Sequence, residues 1–371
     1  MNILTVNTGS TSVKLAAFAA MGTAQPTLVA KENAGSTGEN ASIQAFLAKH
    51  TFKPDVVAHR VVHGGTRFTR PACIDAPVLA EIGALSELAP LHNPKALKWI
   101  EAARQVCGPK VVQVAAFDTS FFVALPRVAA EYALPPQLGT DLGVRRYGFH
   151  GLAHEAMWRR WSELHPELSG RGRLISLQLG GGASVAATLG GHPVDTSMGF
   201  SPLEGLVMGT RSGDVDAAIV PHLQRRLGKS ADEVIDLLNH EAGLVGLSGL
   251  GPERGADFRA LLADPGPRPR FAVDLYCYRA RKYLGAYLTV LGGCDGIVFG
   301  GGVGEHVPPV RSRILEGLSW AGIEVSEPDN ERAVGAEARI STPQSRIGVH
   351  VIPVDEERML AAAALAECTP P

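Results

Sequence analysis

The sequence predicts an α/β protein built from two related domains. Three observations lead to this prediction: candidate strands and helices alternate along the chain, the strands are Val- and Ile-rich runs, and each half contains one glycine/serine hairpin. Such alternation is typical of α/β folds, and continuous apolar strands are typical of sheets that are buried on both faces. The length of 371 residues suits about two domains at roughly 100–200 residues each.

Apolar runs bounded by glycine, proline or polar residues predict the strands. In chain order these runs are Ile3–Val6, Asp55–Val62, Lys110–Phe117, Leu174–Leu179, Gly296–Phe299 and Val349–Val354. Their composition places them inside a sheet, where no strand face meets water.

Capping residues mark the helices between these strands. Asn93 is predicted to cap a helix that ends before Gly108. Ser230 and Glu233 have the spacing of a capping box, in which each side chain bonds to the backbone of the other residue. A longer helix is predicted over residues 272–291, where apolar and tyrosine side chains recur along one face.

The two hairpins share one plan of strand, small polar turn and strand. They span residues 4–14 and 177–186. Backbone N–H groups in such turns can bind phosphate, because glycine lets a ligand approach the chain closely. The pair suggests two related domains that face each other across a cleft.

A third glycine cluster, residues 300–305, follows a predicted strand and precedes a helix that is predicted to begin at Pro308. A glycine turn between a strand and a helix N-terminus is a typical anion or nucleotide site. Close packing of the helix on the strand explains the same pattern, and the sequence leaves both interpretations open.

Composition excludes several classes of protein. The formal net charge of −2 provides no basic field for nucleic acid or anionic membranes, so an anionic substrate would need local positive charge. The five cysteines include no CxxC pair, which argues against a disulfide framework or zinc ribbon. The N-terminus does not resemble a signal peptide, and no apolar run has a membrane-spanning length. We therefore expect a cytoplasmic protein.

Phosphoryl transfer requires cations, a divalent metal and alignment, and the chain offers candidates for each. Arg60 lies inside a Val-rich run, where a charge needs a specific partner, and Arg211 lies in a glycine-flanked loop. Asp118 and residues 355–357 follow predicted strands, a usual position for carboxylates that bind Mg²⁺–phosphate or cap a helix. Neither GxxxxGK[ST] nor a GxGxxG after a strand is present, which disfavours P-loop and Rossmann sites.

Two histidine pairs have a spacing of four residues. They are His59 with His63, and His150 with His154. On a strand this spacing separates the side chains by about 13 Å, which is too far for a shared zinc ion. From the spacing alone, all four are predicted to be structural histidines.

Taken together, these motifs resemble the acetate kinase family along essentially the whole chain. The matching segments, in order, are residues 7–14, 59–65, 89–94, 117–121, 147–154, 195–205, 208–214, 257–259, 299–305 and 351–357. The resemblance implies a duplicated actin/hexokinase-like (ribonuclease H-like) fold with a central cleft. It places the first domain at residues 1–117 plus 356–371 and the second at residues 118–355, in a homodimer. The implied reaction is the reversible, direct in-line transfer of a phosphoryl group from ATP to the carboxylate of a short aliphatic acid. The resemblance implies acetate as the first candidate acid and Mg²⁺ as the cofactor.

The resemblance also implies a role for individual residues. The catalytic set is Arg60, Asp118, His150 and Arg211, and Asn7 and Glu356 are implied to hold the metal. The acid pocket is Arg60, Val62, Leu91, Phe149 and Pro202. The phosphate and nucleotide set is Ser10, Ser12, Lys14, Gly180, Gly181, Gly182, Asp257, Phe258, Arg259, Gly302, Val303, Gly304 and His306.

The chain departs from the family pattern near the expected donor phosphates. Gln178 and Gly181 stand where the family has histidine and asparagine, and Ala183 replaces a serine. Phe122 replaces a histidine and His306 an asparagine. Alternative functions are therefore a propionate or butyrate kinase, a kinase with another phosphate donor, or a non-catalytic binding protein. Retention of the arginine and metal residues disfavours the last.

Overall fold

The computed structural model describes residues 1–9, 12–22, 25–35 and 38–368. Its contacts divide the chain into two compact units. Unit 1 comprises Met1–Val123, Phe149–Leu152 and Asp355–Pro371, and unit 2 comprises Ala124–Gly148 and Ala153–Val354. Each unit contains one six-stranded mixed sheet.

The sheet of unit 1 has the order β3-β2-β1-β4-β6-β5. Its strands are β1 (Asn2–Thr8), β2 (Val13–Ala19), β3 (Thr27–Asn33), β4 (Val56–Val61), β5 (Ala72–Cys73) and β6 (Val112–Phe117). β1 to β3 form an antiparallel meander, β4 is parallel to β1, and β6 is parallel to β4. The short β5 is antiparallel to β6.

The sheet of unit 2 repeats this order, strand for strand, as β9-β8-β7-β10-β12-β11. Its strands are β7 (Arg173–Leu179), β8 (Ala183–Leu189), β9 (His192–Thr196), β10 (Gly296–Gly300), β11 (Ala338–Arg339) and β12 (Gly348–Val351). An antiparallel meander is again followed by two parallel strands and a short antiparallel one. The shared topology confirms the predicted duplicated α/β fold.

Helices connect and cover the strands. Those of unit 1 are α1 (Glu39–Lys49), α2 (Ala76–Ala84), α3 (Asn93–Cys107) and α16 (Glu356–Cys368). α6 (Gly151–Leu164) begins in unit 1 and continues in unit 2. The others are α4 (Arg127–Ala130), α5 (Pro136–Leu142), α7 (Ile219–Leu227), α8 (Ala231–His240), α9 (Gly243–Ser248), α10 (Gly251–Arg254), α11 (Phe258–Ala263), α12 (Pro267–Val290), α13 (Gly301–His306), α14 (Pro308–Leu315) and α15 (Glu327–Arg332).

The apolar face of α16 packs on the sheet of unit 1. Leu360, Ala361, Ala364 and Leu365 share a buried cluster with residues of β1, β2, β4 and β6. This packing holds the first residues of α16, which are glutamates, beside the same sheet.

All six predicted strands are present, although β4, β6 and β12 are shorter than predicted. The capping box at Ser230 and Glu233 is confirmed. Two helix predictions were wrong in detail. α12 begins five residues before Ala272, at Pro267. Asn93 does not cap α3: it is fully buried, and its side chain bonds to both backbone groups of His63.

The third glycine cluster was predicted as a turn, and this was wrong. Gly301 starts α13 directly after β10, so most of the cluster is helical. The Glu305 carboxylate accepts hydrogen bonds from the backbone N–H groups of Gly301 (2.8 Å) and Val354 (3.0 Å). A side chain of the chain itself therefore caps the first turn.

Within the part of the chain that the structure describes, no helix has the length and apolar composition needed to cross a bilayer.

Candidate active site

A buried arginine organises the polar cluster of unit 1. Arg60 lies on β4 and is 8% exposed. Its Nε and Nη2 donate to the two carboxylate oxygens of Asp118 at 2.9 and 2.7 Å, and its Nη1 donates to Asn7 and Glu356 at 3.2 Å each. Arg60 thus has the specific partners that a charge in an apolar strand requires, namely two carboxylates and one amide. The elements that bring these groups together are β1, β4, the end of β6 and the start of α16.

Asn7 links this arginine to a second charged group. Its amide nitrogen donates to Glu356 at 2.8 Å and to Glu357 at 3.0 Å. Glu357 is 1% exposed, and its carboxylate also pairs with Lys31 at 2.7 Å and Lys14 at 3.8 Å. The site is one continuous network of three cations, three carboxylates and an amide.

The network sets the charge of its members. Burial alone would lower the pKa of Arg60, but Asp118 and Glu356 raise it above the ordinary value, so the guanidinium stays charged. Burial raises the pKa of Asp118, and Arg60 opposes this. Burial also acts to raise the pKa of Glu357, but Lys31, Lys14 and Asn7 lower it overall. Glu357 is therefore held as a buried anion.

His150 lies at a turn that contacts the same carboxylate. It adopts a left-handed conformation with φ of 60°, and its backbone N–H donates to the Asp118 side chain. The next N–H, of Gly151, donates to the Asp118 carbonyl at 3.0 Å. A Cβ at position 151 would lie 2.0 Å from that carbonyl oxygen, so glycine is required there.

The predicted acid-pocket residues differ in exposure. Val62 and Phe149 are buried in unit 1, and Phe149 contacts the His63 ring edge-on at 5.6 Å. Leu91 is 46% exposed. Pro202 lies in unit 2, where its carbonyl accepts from Arg211 at 3.2 Å.

Arg211 is buried in a tightly folded loop of unit 2. It is 8% exposed, and burial lowers its pKa. Gly243, with φ of 58°, packs on this loop so closely that a Cβ would lie 2.3 Å from the Met208 carbonyl oxygen. Asp214 bonds to the backbone N–H of Gly205 at 2.8 Å and closes the loop at its base. The loop therefore holds a charged guanidinium where it is poorly solvated.

The glycine turn between β7 and β8 contacts the Arg211 loop. The Gly181 carbonyl accepts from the Gly209 N–H at 3.0 Å, and a Cβ at position 181 would meet no atom within 4 Å. Beside the turn, Gln178 has a buried amide oxygen that finds no hydrogen-bond partner among the described residues. Gly301 is needed there, because its φ is 76° and a Cβ would lie 2.6 Å from the Leu179 carbonyl oxygen.

The other predicted nucleotide residues lie on α11 and α13. Asp257 caps α11 through the Arg259 N–H, and the side chain of Arg259 is 95% exposed. Phe258 is buried edge-on against the Tyr276 ring at 5.0 Å. Gly302, Val303 and Gly304 are helical residues of α13, and His306 Nδ1 lies 3.2 Å from the Gly302 carbonyl oxygen.

The first hairpin is described except at its tip. Ser10 lies outside the described residues, and Ser12 is exposed. Gly9 N–H donates to the Ser12 carbonyl at 2.9 Å. Lys14, predicted to line the hairpin, faces Glu357.

Sequence reasoning missed Lys31 and Lys95 as residues of this region, and it named Glu357 only as one of the carboxylates that follow a predicted strand. Lys95, near the start of α3, donates to the Gly9 carbonyl at 2.9 Å. The signal for Glu357 was its place beside Glu356 at a helix start. No sequence pattern marked either lysine.

Comparison with known proteins identifies the family. The sequence model of the acetokinase family matches residues 40–362. The chain belongs to this family.

Acetokinase relatives match over most of their own length. An acetate kinase from Chloroherpeton thalassium is 44% identical over 326 residues, which cover 88% of this chain and 78% of the relative. An acetate kinase from Clavibacter michiganensis is 47% identical over 314 residues, 84% of this chain and 78% of the relative.

Solved structures of an acetate kinase and a propionate kinase match nearly the whole chain. The crystal structure of Porphyromonas gingivalis acetate kinase superposes with a TM-score of 0.86 at 33% identity, covering 99% of this chain and 100% of the other. A propionate kinase from Francisella tularensis gives 0.87 at 31% identity, covering 98% and 99%. The similarity thus includes enzymes named for two different acids.

Proposed function

We propose that this chain transfers a phosphoryl group reversibly between ATP and the carboxylate of a short aliphatic acid, with acetate as the first candidate. The observation that carries the proposal is the buried Arg60, held by Asp118, Glu356 and Asn7. A buried cation fixed by several partners is preorganised to stabilise negative charge, which is the main catalytic requirement of phosphoryl transfer.

The acceptor needs no general base in this reaction. A carboxylic acid with a pKa of about 4–5 is already ionised at neutral pH. The enzyme must instead bring two anions together and hold them in line. We assign this role to Arg60 and Arg211, with His150 donating a hydrogen bond to the transferring group and Asp118 positioning Arg60.

Arg60 retains a donor for a ligand. A guanidinium carries five N–H groups, and four are used by Asp118, Asn7 and Glu356. The fifth, on Nη2, has no partner among the described residues, and we assign it to an oxygen of the acid or the phosphoryl group. The partners fix the guanidinium plane, so this donor has a defined direction.

The residues of unit 1 fit a magnesium ion by donor type. Among the described residues, no group of three or more His, Cys, Asp or Glu side chains is arranged to hold a metal. Mg²⁺ is usually held by one or two carboxylates together with phosphate oxygens and water, however, and Glu356 and Asn7 offer oxygen ligands of this kind. When bound there, the ion would neutralise part of the phosphate charge.

Other parts of the proposal rest on the family resemblance. We propose the domain division at residues 1–117 plus 356–371 and 118–355, a homodimer, and a cytoplasmic location without nucleic-acid or membrane binding. The formal net charge of −2 supports the expectation that the chain binds neither nucleic acid nor anionic membranes. We also propose that Val62, Leu91, Phe149 and Pro202 receive the alkyl end of the acid, and that Asp257, Phe258, Arg259 and Gly302 to His306 receive adenosine.

The test traps the product with hydroxylamine, which converts an acyl phosphate to a hydroxamate. Purified protein is incubated with ATP, MgCl₂ and acetate, propionate, butyrate or no acid. We expect hydroxamate with acetate and propionate, dependent on Mg²⁺. Absence of hydroxamate with every acid, for ATP, GTP and pyrophosphate alike, would contradict the proposal.

A further inference from the structure

We propose that Lys95 is a phosphate-binding residue of the first hairpin and supplies the net positive charge that the arginine network of unit 1 lacks. This inference rests on the proposed function. Lys95 lies outside the family motifs found in the sequence.

The position of Lys95 is fixed by its contact with the hairpin. Its Nζ donates to the Gly9 carbonyl at 2.9 Å, and the adjacent Gly9 N–H is occupied by Ser12. An ammonium group has three donors, so two remain for a ligand. The side chain is partly buried, which limits its range of motion.

The other cations of unit 1 near the hairpin are already neutralised. Lys14 and Lys31 pair with Glu357, and Arg60 pairs with Asp118 and Glu356. Three cations therefore face three carboxylates, and the network has no net charge. Apart from the charge that a bound Mg²⁺ would supply, a phosphate with two or more negative charges needs additional positive charge at this place.

Lys95 is a cation without such a partner among the described residues. No carboxylate there lies within ion-pair distance of its ammonium group, and its one hydrogen bond is to a neutral carbonyl. Burial lowers its pKa, and Glu39 is the one carboxylate with a significant opposing effect. Its charge is thus uncompensated and lies beside a glycine turn of the kind that binds phosphate.

A purely structural role of Lys95 would also explain its hydrogen bond to Gly9. The two roles differ in that only phosphate binding requires the positive charge of the side chain. Glutamine keeps an N–H donor for the Gly9 carbonyl but removes the charge, whereas arginine keeps both. Lys98 is the matched control, because it lies one turn further along α3 and is exposed.

The experiment measures binding of MgATP and of pyrophosphate to the full chain by calorimetry, without turnover, and then KM for each substrate. We expect Lys95→Gln to raise both Kd values about tenfold, because each ligand would lose a hydrogen bond from a charged group. KM for acetate should stay within about twofold. Lys95→Arg should retain most of the affinity, and Lys98→Gln should change nothing.

Three results would overturn the inference. Unchanged affinity of Lys95→Gln for both ligands would remove the binding role while leaving the proposed function intact. Equal losses for Lys95→Gln and Lys95→Arg, with a lower Tm in each, would assign Lys95 to structure alone. Failure of the wild-type protein to bind either ligand would contradict the proposed function as well.

Discussion

At the scale of single residues, Arg211 gives the sharpest test of the chemistry. Its guanidinium is buried, and burial lowers its pKa, so the fold maintains a charge at some cost in stability. We expect Arg211→Ala to lower kcat/KM for acetate by two or more orders of magnitude, about 3 kcal/mol or more, because the contact would act in the transition state. The hydroxamate assay measures this.

Arg226→Ala is the control for that variant, since Arg226 is an exposed arginine of α7. Thermal unfolding should show Arg211→Ala folded. A folded Arg211→Ala protein with near-normal turnover would refute the role given to this residue.

Val62 tests the acid pocket. It is 5% exposed, and its truncation should leave space for a longer alkyl chain. Each added methylene in such a pocket changes discrimination by about 1–3 kcal/mol, so Val62→Ala should raise kcat/KM for butyrate relative to acetate about tenfold. Val57→Ala, the same change at a buried valine of β4 that belongs to an apolar cluster, is the control. An unchanged ranking of acids in Val62→Ala would show that the pocket is assigned wrongly.

Sequence reasoning located Arg60 and Asp118 because each breaks a local rule: a charge inside an apolar run, and a carboxylate where a strand ends. Lys95 breaks no such rule. Its importance depends on which way α3 turns against the sheet, and that orientation is decided by packing between segments distant in sequence.

At the scale of elements, the β7–β8 hairpin carries the chain's main departure from its family. In the part of the chain that the structure describes, Gly181 leaves open space and the buried amide oxygen of Gln178 has no hydrogen-bond partner. A histidine and an asparagine would offer side-chain donors to the donor phosphates, and each lost bond to a charged group is worth roughly 1.5–3 kcal/mol. We therefore expect weak use of ATP, or tolerance of other phosphate donors.

The double variant Gln178→His with Gly181→Asn tests this expectation. It should raise kcat/KM for ATP by one to two decades relative to pyrophosphate, about 1.5–3 kcal/mol. Thermal unfolding of the double variant controls for altered folding of the turn. If the double variant shows no gain for ATP and the same donor ranking, the Gly181 backbone already compensates.

Element positions were more predictable than their ends. The strand runs and the capping box are local patterns, so the sequence contains the information for them. The role of Asn93 is not local, since its side chain bonds to His63 from thirty positions away. The start of α13 at Gly301 likewise depends on Glu305 meeting the backbone of both Gly301 and Val354.

At the scale of the whole molecule, buried histidines should make the protein sensitive to acid. Burial lowers the pKa of His154 to about 3 and is the main reason that the pKa of His59, His63 and His350 is lowered to about 4. Unfolded histidine titrates near 6.5, so between that value and about 4 the unfolded chain binds more protons than the folded one. The contribution of these histidines to the free energy of unfolding is therefore largest above pH 6.5, and it should fall by about 2 kcal/mol per histidine between pH 7 and 5.

Urea unfolding at pH 7 and 5 measures this loss. His154→Gln, which keeps polar groups near Ser176 and Ser184, should lose about 2 kcal/mol less than wild type over that interval. His222→Gln, a change at an exposed histidine, should behave like wild type. Equal pH dependence in all three proteins would show that His154 is not held neutral by burial.

The packing of α16 on the first sheet also has a consequence for biosynthesis. A multidomain chain usually folds in the order in which it leaves the ribosome, starting at the N-terminus. Here the apolar cluster shared by β1, β2, β4 and β6 is completed by α16, a helix translated after all of unit 2. We therefore expect unit 2 to be the first to reach its final form during translation. The nascent N-terminal sheet meanwhile keeps an uncovered apolar face, which makes it a natural client for ribosome-associated chaperones.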